Sequence, residues 1–174
     1  MDPQTPATGP VLATVPARAV LTVDGIGDPA DAAFAAAVRA LLAVRTALGA
    51  PADVPVEGSY AQDGDPLRFD LDAPAGWHWT LLVPAPDAVF AEAVTAAGER
   101  FGAAVHLRRP AAQRVAQLLH HGPYSEEGPS LHALYRFVAA QGLVPDGPHT
   151  EVYLTDPGVT APRDNRTVLR VPVR

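Results

Sequence analysis

The chain has 174 residues, of which 48% are hydrophobic and none is cysteine. This size fits one globular domain, and the lack of cysteine excludes disulfides, thiolate metal sites and a cysteine nucleophile. A formal net charge of −6 argues against a nucleic-acid partner, which would need a basic surface. No run approaches membrane-spanning length and the N-terminus lacks signal-peptide features. We therefore expect a soluble cytoplasmic protein that contacts neither nucleic acid nor a membrane.

The first predicted elements are an arm, a strand and a helix. Residues 1–14 are rich in Pro, Thr and Gly and are expected to form a flexible N-terminal arm. The β-branched segment 17–25 predicts a strand. Asp28 and Pro29 then predict the N-cap and first turn of a helix that ends at Gly49.

The later segments repeat this order. A second helix is predicted at 86–102, opened by Pro86 and Asp87 and with Phe90, Val94, Ala97 and Phe101 on one face. A third helix follows from Ser130 to Gly142. The remaining predicted strands are 54–60, 77–84, 113–122, 150–156 and 167–173.

The order strand, helix, strand, strand thus occurs twice, which predicts an α+β fold. We expect tandem modules at about 15–84 and 113–173, linked by the connector helix 86–102 within a single domain, 15–174. Each module would form an antiparallel sheet with its helix on one side. Two such halves side by side would leave a pseudo-twofold central cleft that can hold a ligand.

One carboxylate stands inside a predicted strand, in the stretch "HTEVYLTDP" at 149–157. Because strand side chains alternate, Glu151 and Tyr153 share one face while Val152 and Leu154 share the other. If the Val/Leu face packs the core, Glu151 is a solvated acid, whereas if the Glu/Tyr face lines a cavity, it belongs to a site. Strand parity alone leaves both alternatives open.

Several motifs in order carry a family resemblance: "LTVDGIGDP", "PVEGSY", "WHWTLLVPAPD", "LLHHGPYSEEGPSL" and "HTEVYLTDPGVTAP" through "TVLRVPV". Over roughly residues 15 to 173 the chain resembles the GyrI-like small-molecule-binding family, which is related to effector-binding domains of AraC-type and multidrug-sensing MerR-type regulators. The resemblance implies tandem modules around a ligand cleft. It also implies that Glu151 lies at the floor of that cleft.

Aromatic side chains could complete such a site. Trp77 and Trp79 share a strand face, Tyr153 shares a face with Glu151, and Tyr60 and Tyr124 lie on neighbouring motifs. Each ring could instead belong to the core. In the cleft, the rings would stack on a flat ligand and attract a cation.

Two positions near Tyr60 complicate this picture. Glu57 could be a second acid of the cleft, but its strand parity is opposite to that of Tyr60, so a bulge at Gly58 would be required. Family members often carry two aromatics where this chain has Ser59 and Tyr60, so part of the aromatic wall is expected to be missing.

Other constellations give no site. His120 and His121 are adjacent in a strand and point to opposite faces, so we expect no metal ligation by this pair. Ser59, Ser125 and Ser130 lack a nucleophile-elbow context. The turn "HGPYSEEGP" is expected to cap a helix through Ser125 or the Glu pair. No metal or cofactor is predicted.

Three functions remain open. The first is a stand-alone binding protein for hydrophobic or cationic aromatic small molecules, acting in xenobiotic sensing, sequestration or detoxification. The second, implied by the resemblance, is a cofactor-independent hydrolase that opens strained cyclopropane rings of DNA-alkylating natural products, with Glu151 and Tyr153 as catalytic residues. The third is an inhibitor protein of the gyrase-inhibitory type. Only the third would require a protein partner, and none is predicted.

Overall fold

A computed structural model describes residues 9–63, 70, 72–86 and 88–174 of the chain. The helices are α1 Ala32–Ala47, α2 Ala91–Arg100 and α3 Gly128–Ala140. The strands are β1 Val11–Val15, β2 Val20–Ile26, β3 Glu57–Ala61, β4 His78–Pro84, β5 His106–Arg108, β6 Gln113–His121, β7 His149–Tyr153 and β8 Arg166–Pro172.

The strands form one antiparallel eight-stranded sheet in the order β1-β6-β8-β7-β3-β4-β2-β5. The predicted α+β fold is therefore confirmed, and the two module sheets are fused because β3 of the first half pairs with β7 of the second. The two strands expected to share a cleft, β4 and β7, both flank β3. An approximate twofold relation thus passes between β3 and β7.

Helices α1 and α3 cover the same face of this sheet, which we call the outer face. Leu41 of α1 packs with Leu81 of β4, and Leu134 of α3 packs with Leu169 of β8. Leu81 pairs with Gly58, Gly58 with Glu151, and Glu151 with Leu169, so these positions form one row across the sheet. Each module thus has its own core under its own helix, with a gap between them.

The two edge strands are exchanged between the modules. β1, which precedes the first module, pairs with β6 of the second, and β5, which precedes the second, pairs with β2 of the first. Only four residues, 16–19, connect β1 to β2, and only four, 109–112, connect β5 to β6. The two strands of each pair nevertheless lie six positions apart in the sheet. In a flat sheet that separation would be about 29 Å at about 4.8 Å per strand, whereas such a linker spans at most about 18 Å.

The sheet must therefore curl, bringing its two edges together on the side away from the helices. We call this concave side the inner face. The linkers 16–19 and 109–112 cross it, and both contribute residues to a cavity there.

The structure corrects the expectation of a loose arm for residues 11–14, because β1 holds them in the sheet beside β6. Residues 1–8 lie outside the described residues. Strands β1 and β5 were not predicted from the sequence. Both strands are short. Each is held in the sheet by pairing with a strand of the other module rather than by a burial pattern of its own.

Two helix starts also differ from the predictions. The N-cap of α1 is Asp31, while the Asp28 carboxylate accepts a hydrogen bond from the backbone N–H of Ala30 at 2.8 Å in a turn before the helix. Helix α2 begins at Ala91, and Phe90 is its N-cap with 75% exposure rather than part of its buried face. Asp87, expected to open this helix, lies outside the described residues.

Candidate functional site

The gap between the two modules forms a cleft on the outer face with a volume of about 670 Å³. Helix α1 forms one wall through Phe34, Val38 and Leu42. The opposite wall and the floor come from the turn before α3, from strands β3 and β7, and from β4 with the residue that precedes it. These contribute Tyr60, Trp77, Tyr124, Glu127, Glu151 and Tyr153. We call this the outer cleft.

Glu151 lies at the floor of the outer cleft and is only 8% exposed. Its Oε2 accepts a hydrogen bond from the Tyr153 hydroxyl at 3.0 Å, and its Oε1 lies 3.4 Å from Nε2 of His149. Val152, which lies between Glu151 and Tyr153 in β7, points to the opposite, inner face and is buried there. The Glu/Tyr face of β7 therefore lines the cavity, and Glu151 is not a solvated strand acid.

The aromatic floor depends on a glycine. The hydroxyls of Tyr60 and Tyr153 hydrogen-bond to each other directly above Gly58. A Cβ atom at Gly58 would lie 2.8 Å from both hydroxyl oxygens, so a side chain here would push the tyrosines apart. The ring centroids of Tyr60 and Trp77 are 5.8 Å apart, and those of Tyr124 and Tyr153 are 5.7 Å apart, both in edge-on contact.

These tyrosines remain protonated hydroxyl donors. Burial, and then the charge of Glu151, raises the pKa of Tyr60 and of Tyr153 well above the ordinary value for tyrosine. The same two causes raise the pKa of Tyr124 to about 12. A ligand in the cleft thus meets neutral phenols around one carboxylate.

Glu127 is a second acid of the outer cleft that the sequence analysis missed. It is 2% exposed and lines the cleft together with Glu151. Burial, and then the charge of Glu151, raises the pKa of Glu127 from 4.5 to about 10. This shift favours the protonated form of Glu127 at neutral pH.

The position of Glu127 explains why it was missed. The Glu126–Glu127 pair was expected to cap α3, and Glu127 is indeed its N-cap residue, but its side chain makes no capping hydrogen bond and turns into the cleft. His149 was also missed. It shares the strand face of Glu151 and Tyr153, and that period of two was the available signal.

The structure brings together five of the seven predicted site residues, Tyr60, Trp77, Tyr124, Glu151 and Tyr153. Trp79 is not among them. It is 5% exposed and packs edge-on against Phe34 at 5.1 Å in the core of the first module.

Glu57 is the other exception, because it lies on the inner face. β3 pairs regularly with β4 and β7 from Glu57 to Tyr60, so no bulge turns Glu57 toward the cleft. Ser59 faces the same way, and its hydroxyl donates to the carbonyl of His149 at 3.4 Å. A larger ring at position 59 would therefore not extend the aromatic wall of the outer cleft.

The described ranges contain no group of His, Asp and Glu side chains placed to hold a metal ion. No helix among them is long and apolar enough to cross a membrane.

The fold and the outer cleft together define a small-molecule-binding module built from two strand-helix-strand-strand units. Residues 10–174 match the model of the GyrI-like small molecule binding domain, and the chain belongs to this family. No curated protein matches the chain.

Solved structures extend the comparison. An uncharacterised conserved protein from Listeria innocua is 30% identical, with a TM-score of 0.84, over 97% of this chain and 94% of its own. A hydrolase from Listeria innocua is 28% identical, with a TM-score of 0.80, over 98% of this chain and 94% of its own. SAV2435 bound to tetraphenylphosphonium shares the fold at 11% identity and a TM-score of 0.58, over 95% of this chain and 93% of its own.

Proposed function

We propose that the outer cleft binds a hydrophobic aromatic cation. The observation that carries this proposal is the buried carboxyl pair, Glu127 and Glu151, at the floor of a cleft walled by aromatic and aliphatic side chains. The cleft volume of about 670 Å³ lies in the range of small-molecule sites.

The charge of the pair gives the ligand class. A buried carboxylate costs several kcal/mol unless it is paired or hydrogen-bonded. Tyr153 donates a hydrogen bond to Glu151 and Nε2 of His149 lies 3.4 Å from it, but among the described residues no arginine lies within ion-pair distance of this carboxylate. A ligand cation would supply that charge, and each well-placed ring would add about 0.5 to 2 kcal/mol.

The related structures are consistent with this ligand class. SAV2435, which shares the fold, binds tetraphenylphosphonium, a hydrophobic aromatic cation. At 11% identity this likeness concerns the fold alone, so the argument for this chain depends on its own acids and rings.

The test is a titration with tetraphenylphosphonium and, as a neutral comparison of similar shape, triphenylphosphine oxide. Binding is followed by calorimetry and by quenching of tryptophan fluorescence. We expect Glu151→Gln to weaken cation binding at least tenfold, about 1.4 kcal/mol, and to leave the neutral compound nearly unaffected. Equal cation affinity in the two forms would contradict the proposal.

A second candidate function is hydrolysis of a strained cyclopropane fused to a dienone. The observation that favours it is that Glu127, whose pKa is raised to about 10, lines the same cleft as Glu151. A protonated carboxyl or the Tyr153 hydroxyl could donate to the substrate carbonyl, and Glu151 could orient water. Water would then attack the strained carbon, the ring bond would break toward the carbonyl, and the dienone would become a phenol.

This candidate is tested by product analysis. A cyclopropane-fused dienone incubated with a small amount of protein should give more than one equivalent of the ring-opened alcohol. Glu151→Gln and Tyr153→Phe should each slow the step about 10²-fold. Recovery of unchanged compound in a stoichiometric complex would exclude hydrolysis of this substrate and leave the binding function.

A further inference from the structure

The turn that carries Tyr124 and Glu127 into the outer cleft is not held by a helix cap. It comprises residues 122–127, between β6 and α3, and we call it the cleft turn. Helix α3 begins without a side-chain capping hydrogen bond. Within the turn, the amide of Glu126 donates to the carbonyl of Pro123 at 2.9 Å, and the amide of Glu127 donates to Tyr124 at 3.1 Å. These bonds shape the turn but do not fix where it lies over the sheet.

His120 connects the sheet to this turn and to the helix that follows it. Its side chain is buried. Its Nε2 donates to the carbonyl of Pro123 at 3.2 Å, and the hydroxyl of Ser130, in the first turn of α3, donates to Nδ1 at 3.0 Å. Because a carbonyl oxygen can only accept, Nε2 carries a hydrogen, and Nδ1 of the neutral ring is left as the acceptor. One side chain of β6 thus bonds to both sides of the segment that bears Tyr124 and Glu127.

The sheet register places His120 beside the floor of the cleft. His120 pairs with Thr167 of β8, and Thr167 pairs with Tyr153 of β7, so the three side chains form one row on the outer face. The ring of Tyr153 contacts that of Tyr124 edge-on. His120 itself is not among the described residues that line the cleft. It can therefore act on a ligand only through the residues that it holds.

We propose that His120 is a positioning residue of the outer cleft, which keeps Tyr124 and Glu127 in place for the ligand. The proposal rests on the proposed binding function of the cleft. Without the two bonds of His120, the turn keeps its internal hydrogen bonds but is free to shift relative to Tyr153. A segment with few ties to the rest of the fold opens at a low free-energy cost, and the ring and the acid that face the ligand would move with it.

The first measurement is the binding of tetraphenylphosphonium to the full chain by calorimetry. His120→Leu removes both hydrogen bonds and should weaken binding about fivefold or more. His120→Gln keeps a donor near the position of Nε2 and should restore most of the affinity. His121→Leu is the matched control, because His121 is exposed and points to the opposite face. Val138→Ala empties part of the core under α3 and should lower stability without changing affinity.

A mutant cycle separates positioning from a direct contact between His120 and the ligand. If His120 acts through the turn, His120→Leu should weaken binding by less than about twofold in a chain that already carries Tyr124→Ala and Glu127→Gln. A full effect of His120→Leu in that background would overturn the proposal. Unchanged affinity in His120→Leu alone would overturn it as well.

Amide hydrogen exchange tests the holding contact without a ligand. The amides of Glu126 and Glu127 should exchange about tenfold faster or more in His120→Leu than in the original chain, and His121→Leu should leave them unchanged. Ser130→Ala removes one of the two bonds and should give a smaller increase, which keeps the test available if His120→Leu does not fold. If the original chain does not bind tetraphenylphosphonium, the proposed function fails, and exchange alone decides whether His120 holds the turn. Unchanged exchange at both amides would overturn the proposal.

Discussion

The two faces of the central strand pair β3 and β7 each bury an acid, but in opposite electrostatic settings. On the inner face, Glu57 receives a bidentate Arg18 and lies near Arg170. On the outer face, Glu151 accepts a hydrogen bond from the Tyr153 hydroxyl and shares the cleft with a second acid, Glu127. Glu57 precedes Gly58 in the sequence, and Gly58 pairs with Glu151 on the neighbouring strand. The two acids are therefore only one residue apart in register, on opposite faces of the sheet. We therefore expect the two acids, although both are buried, to contribute differently to the stability of the fold.

The largest effect is expected on the inner face. Glu57→Ala leaves two guanidinium groups facing each other without their carboxylate, and breaking a buried pair in this way typically costs about 3 to 5 kcal/mol. Urea unfolding should show a loss of this size. The matched control is Asp24→Ala, which removes an exposed pair with Arg108 of the same 2.6 Å length and should cost less than about 1 kcal/mol. Similar losses in both variants would remove the distinction between the inner cluster and a surface pair.

Substitution of Trp79 and of Trp77 tests which of these two side chains belongs to the outer cleft. Trp79→Ala should lower the free energy of unfolding by about 3 kcal/mol, because it empties a buried ring site. We expect the lower end of the usual range because the indole Nε1 is buried without a hydrogen-bond partner among the described residues, and its removal relieves that cost.

Trp77→Ala is the control for this prediction. Trp77 lines the cleft and is more exposed, so its loss should cost less stability and more ligand affinity. Unfolding curves and tetraphenylphosphonium titrations on both variants give the comparison. A larger affinity loss for Trp79→Ala than for Trp77→Ala would place the cleft deeper than the structure does.

Much of the fold followed from local pattern. The repeated order of strand and helix gave the two modules, because each core is formed by apolar periods within one module. The exchange of β1 and β5 could not be predicted in this way. Their partners β6 and β2 lie about a hundred and about eighty-five residues away in the sequence, and a three-residue strand carries almost no periodic signal.

Site residues could be predicted where the alternation of side chains along one strand was sufficient. They could not be predicted where the position depends on packing against another element. Period two grouped Glu151 with Tyr153, and it also placed Glu57 opposite Tyr60, which the regular pairing of β3 bears out. Trp79 packs against Phe34 of α1, a contact that no strand pattern contains. Glu127 reaches the cleft through the fold of a turn, and its sequence context is equally typical of a helix cap.

The last effect expected here is a change of pH dependence in Glu127→Gln, on the outer face. The folded-state pKa of Glu127 is about 10, above its ordinary 4.5, so between these values the folded state keeps a proton that the unfolded state has lost. The free energy of unfolding therefore falls as pH rises through this window. Gln keeps the shape and a donor but cannot ionise, so Glu127→Gln should lose this slope.

At pH 5 the variant and the original chain should differ by less than about 0.5 kcal/mol, and at pH 9 the variant should be more stable by about 1 kcal/mol or more. Urea unfolding at steps of one pH unit gives the two curves. Glu126→Gln is the matched control, since Glu126 is the exposed neighbour on the same turn and its removal should leave the curve unchanged. Parallel curves for Glu127→Gln and the original chain would mean that folding does not raise the pKa of Glu127. In that case the electrostatic contrast between the two faces of the sheet would depend only on Glu57 and its arginine partners.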